Sequence, residues 1–144
     1  MTRIDFYILP AGAPASLIAT ACKLCDKASA QGLRLFVRSP DAAQREELDG
    51  ALWSFRQGSF IAHEAYHGQA ISEPYPQVLI GDAEEPPASH HGVLINLGED
   101  VPVYFSRFER VLEIVPPQDT ARASSRARFK FYRDRGYPLE THEL

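Results

Sequence analysis

The chain has 144 residues, of which 44% are hydrophobic and 24% charged, and its formal net charge is -4. These values are typical of one globular domain and exclude a uniformly basic surface for nucleic acid. No run of residues is long and apolar enough to span a membrane. Residues 1–5 include an aspartate and lack the apolar core of a signal peptide, so we expect a cytoplasmic protein with no membrane partner.

The first half of the chain alternates between strand and helix patterns. Apolar residues at every second position predict a strand at 3–9, and helical spacing predicts a helix at 15–31. A second strand is predicted at 33–37. Ser39, which is followed by a proline, is expected to cap a helix that ends near Trp53. The order strand, helix, strand, helix predicts a parallel sheet covered by helices.

The second half contains shorter strands and one long helix. Strands are predicted at 77–81, 92–97 and 111–115, and the run at 92–97 is the most strand-like, so we expect it to be central. A helical turn is predicted near 105–109, and a final helix at 118–136. Together the elements predict an α/β fold with three layers, in which helices cover both faces of a mainly parallel sheet.

The predicted fold is Rossmann-like, spans 1–144 as a single domain and lacks a nucleotide site. The natural ligand position of such a fold is the turn after its first strand. Here residues 10–14 hold one glycine and two prolines, and prolines lack the N–H groups that bind phosphate. The sequence has no phosphate-binding glycine motif and no nucleophile elbow. We therefore expect neither a cofactor nor a catalytic residue.

His63-Glu64-x-x-His67 matches a zinc-hydrolase motif. That chemistry requires both histidines on one face of a helix, with the glutamate polarising a zinc-bound water. Gly68 directly follows the second histidine, and the apolar residues at 60–61 predict a strand before the first. We interpret the motif as a coincidence in a strand and loop, and keep a zinc hydrolase as an alternative function.

Cys22 and Cys25 form a C-x-x-C pair. A redox pair of this kind lies at a helix N-terminus, where the helix dipole lowers the pKa of a thiol. This pair falls instead in the middle of the helix predicted at 15–31. Two small, half-buried side chains are the favoured interpretation, and a metal site completed by histidines stays open.

The final helix carries a row of cations. Between residues 119 and 137 the chain has six basic and two acidic side chains, which is a local charge of +4 on an acidic protein. Helical steps of four, four and three residues place four cations on one face: Arg122, Arg126, Lys130 and Arg133. Arg128 and Arg135 are expected to add flanking charge, with Phe129 beside the row. Because a merely solvated helix face normally mixes both signs of charge, the row predicts a binding surface.

Trp53, the only tryptophan, ends the second predicted helix, and Phe60 follows a turn at Gly58. Large aromatic side chains can fill a core or anchor an interface. At the end of a helix and the start of a strand, both uses are open. We hypothesise that both rings are partly exposed in the isolated chain and are covered by another protein.

Several short motifs point to one family when they are taken in chain order. They are Phe6-Tyr7-Ile8-Leu9, Leu48-Asp49-x-x-Leu52-Trp53, Ser59-Phe60-Ile61-x-His63, Arg110-Val111-Leu112-Glu113-Ile114-Val115 and Phe129-Lys130-x-Tyr132-Arg133-x-x-Gly136-Tyr137-x-Leu139. Their order and spacing resemble the chi subunit of bacterial DNA polymerase III over nearly the whole chain. The segment Glu64-Ala65-Tyr66-His67 departs from that resemblance.

The resemblance implies a non-catalytic accessory subunit of a DNA-directed DNA polymerase. Chi subunits link the psi subunit of the clamp loader to the C-terminal tail of the single-stranded-DNA-binding protein, so DNA is reached indirectly through these partners. The positions that match the surface for the acidic tail are Val115, Arg122, Arg126, Phe129, Lys130 and Arg133. Trp53 and Phe60 match the positions that contact psi.

A domain that binds nucleic acid directly through the same row of cations is a second alternative. Nonspecific DNA binding depends on neutralising phosphates, and the net charge of -4 counts against it. The replication adaptor is therefore the favoured function, with direct nucleic-acid binding and the zinc hydrolase as its alternatives.

Overall fold

The structure, a computed structural model, describes residues 1–11, 16–55, 60–82 and 85–144. The predicted turn at Gly58, and residues 12–14 of the predicted loop at 10–14, lie outside these ranges. Within them, no helix is both long enough and apolar enough to cross a bilayer.

Seven strands and three helices make up the described fold. The strands are β1 (Arg3–Ile8), β2 (Leu35–Arg38), β3 (His63–Ala65), β4 (Val78–Gly81), β5 (Val93–Asn96), β6 (Arg110–Val115) and β7 (Leu139–Glu143). The helices are α1 (Leu17–Ala30), α2 (Ala42–Ser54) and α3 (Asp119–Asp134), with single 3-10 turns at Ala88–His90 and Phe105–Arg107. The strands form one sheet in the order β3-β4-β2-β5-β6-β1-β7, and every neighbouring pair is parallel.

Helices cover both faces of this sheet, which confirms the predicted three-layer α/β fold. Successive side chains of a strand point to opposite faces. On β2, Leu35 and Val37 belong to the core cluster that includes residues of α1 and α2, whereas Phe36 belongs to the cluster on the opposite side, which includes Tyr132 of α3. β5 takes the fourth of the seven positions, so the prediction that 92–97 is central is also confirmed.

The start of α2 differs from the prediction. Asp41, not Ser39, caps the helix, because its carboxylate accepts hydrogen bonds from the backbone N–H groups of Ala43 and Gln44 at 2.9 and 3.3 Å. Ser39 is buried and donates its hydroxyl to Oε1 of Gln44 at 2.6 Å. Both residue types are good caps, and they stand two positions apart, so the sequence pattern did not separate them.

β7 is the element that the sequence pattern missed. Its residues, Leu-Glu-Thr-His-Glu, lack apolar alternation, and it is an edge strand whose one partner is β1. Gly136, with a φ of +79°, follows the end of α3 and lets the chain turn back towards the sheet. Backbone pairing rather than side-chain burial therefore defines this strand.

A buried carboxylate joins α3 to the sheet. Nε of Arg128 donates to Oε1 of the fully buried Glu113 at 2.9 Å, while Nδ2 of Asn96 and the hydroxyl of Tyr132 donate to Oε2 at 3.0 and 2.8 Å. Burial raises the pKa of the Glu113 carboxyl, and the charge of Arg128 and these hydrogen bonds act in the opposite direction. The expectation that Arg128 adds flanking charge to the cation row is wrong, because its guanidinium is buried against Glu113.

Replacing Arg128 with methionine should leave the Glu113 carboxylate buried without its cation. Removing one partner of a buried ion pair typically lowers the free energy of unfolding by about 3–5 kcal/mol. Arg126→Met, the same substitution on the exposed face of α3, should change it by less than about 0.5 kcal/mol. Chemical unfolding of both variants measures the difference.

Equal small losses in the two variants would contradict the role given to this ion pair. Adding Glu113→Gln to Arg128→Met removes the unpaired charge but keeps an acceptor for Asn96 and Tyr132. The double variant should therefore recover part of the lost stability.

Candidate protein-binding surfaces

A pocket of about 310 Å³ lies between α3 and the carboxyl ends of β1 and β6. Its sheet side is mainly apolar, and its helix side adds two arginines beside Phe129; the residues are Phe6, Ile8, Val115, Arg122, Ser125, Arg126, Phe129 and Thr141. Steps of three and four residues along α3 bring its four lining side chains to one face. The rings of Phe6 and Phe129 meet at 5.4 Å between centroids, which closes the apolar wall.

Four of the six residues predicted to bind the acidic tail line this pocket: Val115, Arg122, Arg126 and Phe129. Lys130 and Arg133 do not line it. Lys130 is exposed on the next turn of α3, and the Arg133 guanidinium contacts the Asp134 carboxylate at 3.2 Å. The predicted row of cations is therefore divided between the pocket and the helix surface beyond it.

The cations at the pocket differ in their exposure and in the hydrogen bonds that they already make. Nε of Arg122 donates to the carbonyl oxygen of Pro117 at 3.3 Å, and its side chain is half-buried. Arg126 and Lys130 are exposed, and neither has a hydrogen-bond or ion-pair partner in the part of the chain that the structure describes. Arg126 is thus the pocket cation best placed to bind an incoming anion.

Sequence reasoning identified Val115 but missed the other residues on the sheet side of the pocket. Phe6 and Ile8 alternate along β1 with side chains of the opposite face, so the alternation alone could have assigned them to the α3 side once the position of α3 was known. Thr141 belongs to β7, which has no apolar pattern, and no signal in the sequence pointed to it.

Trp53 and Phe60 form an exposed aromatic pair. Their side chains are 64% and 56% exposed, and their ring centroids are 4.8 Å apart. The prediction that both rings are partly exposed in the isolated chain is confirmed. Exposed large aromatic residues that touch each other are typical anchors for another protein.

The zinc-binding motif does not assemble. His63 begins β3 rather than lying on a helix, and both of its ring nitrogens are engaged, with the Ile61 carbonyl at 2.8 Å and with Asp49 Oδ1 at 2.5 Å. Glu64 accepts a hydrogen bond from Gln69. The strand expected at 60–61 begins instead at His63, and the interpretation of the motif as a coincidence in a strand and loop agrees with this geometry.

The residues in the described ranges do contain one group with the spacing of metal ligands: Asp5, Glu140 and His142. Arg110 donates to Oδ2 of Asp5 at 2.9 Å, and Nε2 of His142 contacts Oδ1 at 3.0 Å. Burial alone would raise the pKa of Asp5, but the bonds from His142 and Arg110 outweigh it and hold the pKa below its ordinary value. A guanidinium already neutralises this carboxylate, so the group does not favour a cation.

Cys22 and Cys25 are free, buried thiols within α1. Burial raises the pKa of Cys22 to about 11, and it raises the pKa of Cys25 further. Thiols with raised pKa values are poor nucleophiles and poor metal ligands at neutral pH. They pack in the core beside the sheet, as small side chains, but they are fully buried rather than half-buried as expected.

Comparison with known proteins decides the family. A sequence model of the family described as DNA polymerase III chi subunit, HolC, matches residues 1–140. The chain belongs to the DNA polymerase III chi subunit family. It is 42% identical to the DNA polymerase III subunit chi of Pseudomonas aeruginosa over 144 residues, which cover 100% of this chain and 98% of that protein.

More distant chi subunits also align over most of the chain. The Haemophilus influenzae subunit is 27% identical over 140 residues, with 97% of this chain and 96% of that protein covered. The Escherichia coli subunit is 29% identical over 121 residues, with 83% and 80% covered. Chi-family membership makes the protein an accessory subunit in DNA replication, and the two surfaces described above are candidates for its contacts in that assembly.

Trp53→Ala should leave the fold intact, because most of the indole is already in contact with water. We expect the free energy of unfolding to change by less than about 1 kcal/mol. Phe36→Ala, which truncates a buried ring, should lower it by about 3–5 kcal/mol and serves as the control. Urea unfolding compares the two, and loss of folded protein in Trp53→Ala would show that Trp53 is a core residue.

Proposed function

We propose that this chi-family chain is a non-catalytic adaptor that joins two other replication proteins. The pocket beside α3 binds the acidic C-terminal tail of the single-stranded-DNA-binding protein, and the surface formed by Trp53 and Phe60 binds the psi subunit. The observation that carries the proposal is a pocket with an apolar wall and an exposed arginine, Arg126, at its side.

The pocket has the chemistry that an acidic peptide with an apolar last residue requires. Such a peptide must place a terminal carboxylate, a terminal side chain and further carboxylates upstream. The Arg126 guanidinium can bind a carboxylate through two parallel hydrogen bonds. Phe129 and Val115 offer the terminal side chain an apolar wall, and Lys130 and Arg133 on the helix beyond attract the upstream carboxylates.

The two surfaces lie at opposite edges of the sheet. The Trp53 ring packs against His63 of β3, the first strand in the sheet order, whereas the pocket is bordered by β6, β1 and β7 at the other end. Four strand spacings separate β3 from β6, which is roughly 19 Å. Both partners could therefore bind one chain at the same time, as an adaptor requires.

In this role the chain has no intrinsic activity, and it reaches DNA only through its two partner proteins. The zinc motif lies on a strand with His63 held by Asp49. One of the six cations near α3 is buried against Glu113, which reduces the charge available to phosphates. We propose that residues 1–144 act as a single cytoplasmic domain in this role.

Arg126→Ala should weaken binding of a peptide with the tail sequence. A hydrogen bond to a charged group contributes about 1.5–3 kcal/mol, so the affinity should fall at least about tenfold. Arg135→Ala is the matched control, because Arg135 lies over the Phe131 ring at 3.6 Å and does not line the pocket. Titration calorimetry at two salt concentrations measures both variants.

Wild-type affinity should also fall as salt rises, since exposed charges are screened over about 10 Å at 0.1 M. A peptide without its last apolar residue should bind more weakly than the complete peptide. Equal losses of affinity in Arg126→Ala and Arg135→Ala would show that the tail does not bind in the pocket. Equal affinity for the truncated and complete peptides would show the same.

Trp53→Ala should weaken psi binding without affecting the tail peptide. Truncating an interface anchor typically costs about 2 kcal/mol or more, which is roughly thirtyfold in affinity. Arg126→Ala should show the reverse pattern, with psi binding kept and tail binding weakened. Calorimetry of both variants with both partners tests the assignment, and a variant that weakens both partners equally would contradict separate sites.

A further inference from the structure

The exposed pair Trp53 and Phe60 packs over the buried side chain of His63. The side chain of His63 is only 2% exposed, and its ring lies 5.3 Å from the Trp53 ring and 6.0 Å from the Phe60 ring. Trp53 meets it edge-on, with an angle of 74° between the rings. His63 thus contacts both residues of the pair while being almost completely covered.

A hydrogen bond ties this histidine to the helix that carries Trp53. Nε2 of His63 lies 2.5 Å from Oδ1 of Asp49, which stands four residues before Trp53 on α2 and therefore one turn below it on the same face. Nδ1 of the same ring lies 2.8 Å from the Ile61 carbonyl oxygen. The Asp49–His63 pair connects α2, which carries Trp53, with β3, which begins three residues after Phe60.

We propose that Asp49 and His63 are positioning residues for the partner that covers Trp53 and Phe60. They hold the two rings in one arrangement before the partner arrives. This inference rests on the proposed function, which assigns that surface to the psi subunit. A surface that is already ordered loses less side-chain entropy on binding, so the hydrogen bond contributes to affinity although His63 itself is covered.

The hydrogen bonds of His63 suit a role in holding the aromatic rings in place better than a role as a space-filling core residue. Nδ1 and Nε2 of His63 each face an oxygen acceptor, the Ile61 carbonyl and the Asp49 carboxylate. A hydrogen bond to a carboxylate is charge-assisted, which makes it stronger than a neutral hydrogen bond. A leucine at this position would fill similar space but would leave the ring of Trp53 without a directional support.

The test combines variants of the pair with the single tryptophan as a reporter. Trp53 is the only tryptophan in the chain, so fluorescence anisotropy and quenching by acrylamide report on this ring alone. Asp49→Ala should lower the anisotropy and increase the quenching in the free chain. It should also weaken binding of the psi subunit about tenfold through the lost ordering of the two rings.

The matched control is Glu46→Ala, which removes the same charge from the same helix without touching His63. It should leave the anisotropy and the affinity unchanged. Asp49→Asn keeps an oxygen acceptor for the ring and should recover part of the affinity lost in Asp49→Ala. His63→Leu removes both hydrogen bonds and should act like Asp49→Ala. Chemical unfolding of each variant confirms that the binding measurements are made on folded protein.

The outcomes separate this inference from the function on which it rests. If Trp53→Ala does not weaken psi binding, the assignment of the surface to psi is wrong. If Trp53→Ala weakens binding but Asp49→Ala and Glu46→Ala behave alike, the surface is correct and the positioning role is wrong. An affinity loss in Asp49→Ala with unchanged anisotropy would also overturn the positioning role, because the ring would then be equally ordered without the pair.

Discussion

A carboxylate buried beneath a helix must find a cation and hydrogen-bond donors, since an unpaired charge inside a protein is very costly. Glu113 finds them in Arg128 and Tyr132 of α3 and in Asn96 of β5. Because residues 128 and 132 lie one turn apart, these bonds fix the rotation of α3 about its axis as well as its distance from the sheet. The rotation of α3 in turn determines which of its other side chains face the pocket and which face water.

The pocket is a consequence of that rotation. With Arg128 turned inward, Phe129 lies against Phe6 and Arg126 faces the space above the ends of β1 and β6. The neighbouring arginines thus take opposite roles: one charge is neutralised in the core, and the other stays available to an anion. One arginine-rich helix can therefore contribute both to the core and to a binding surface. The position of Glu113 on the sheet determines which arginine is buried.

The surface formed by Trp53 and Phe60 also lies beside a polar contact between two elements. There the Asp49–His63 pair joins a helix to an edge strand beneath two exposed rings, as the Glu113–Arg128 pair joins α3 to a central strand. In both places a directional hydrogen bond between two elements supports the apolar residues beside it. The two supports lie far apart in the sheet order, so a change at one surface need not disturb the other.

The sequence by itself determined the order of the main strands and helices, the central position of β5 and the cationic character of α3. These follow from local periodicity and residue type, which act within a few turns of chain. Only the tertiary structure decided that Arg128 is buried while Arg126 and Trp53 are exposed, and that 139–143 is a strand. A buried charge is defined by a partner distant in sequence, and an edge strand by the neighbour to which its backbone pairs, and neither leaves a local pattern.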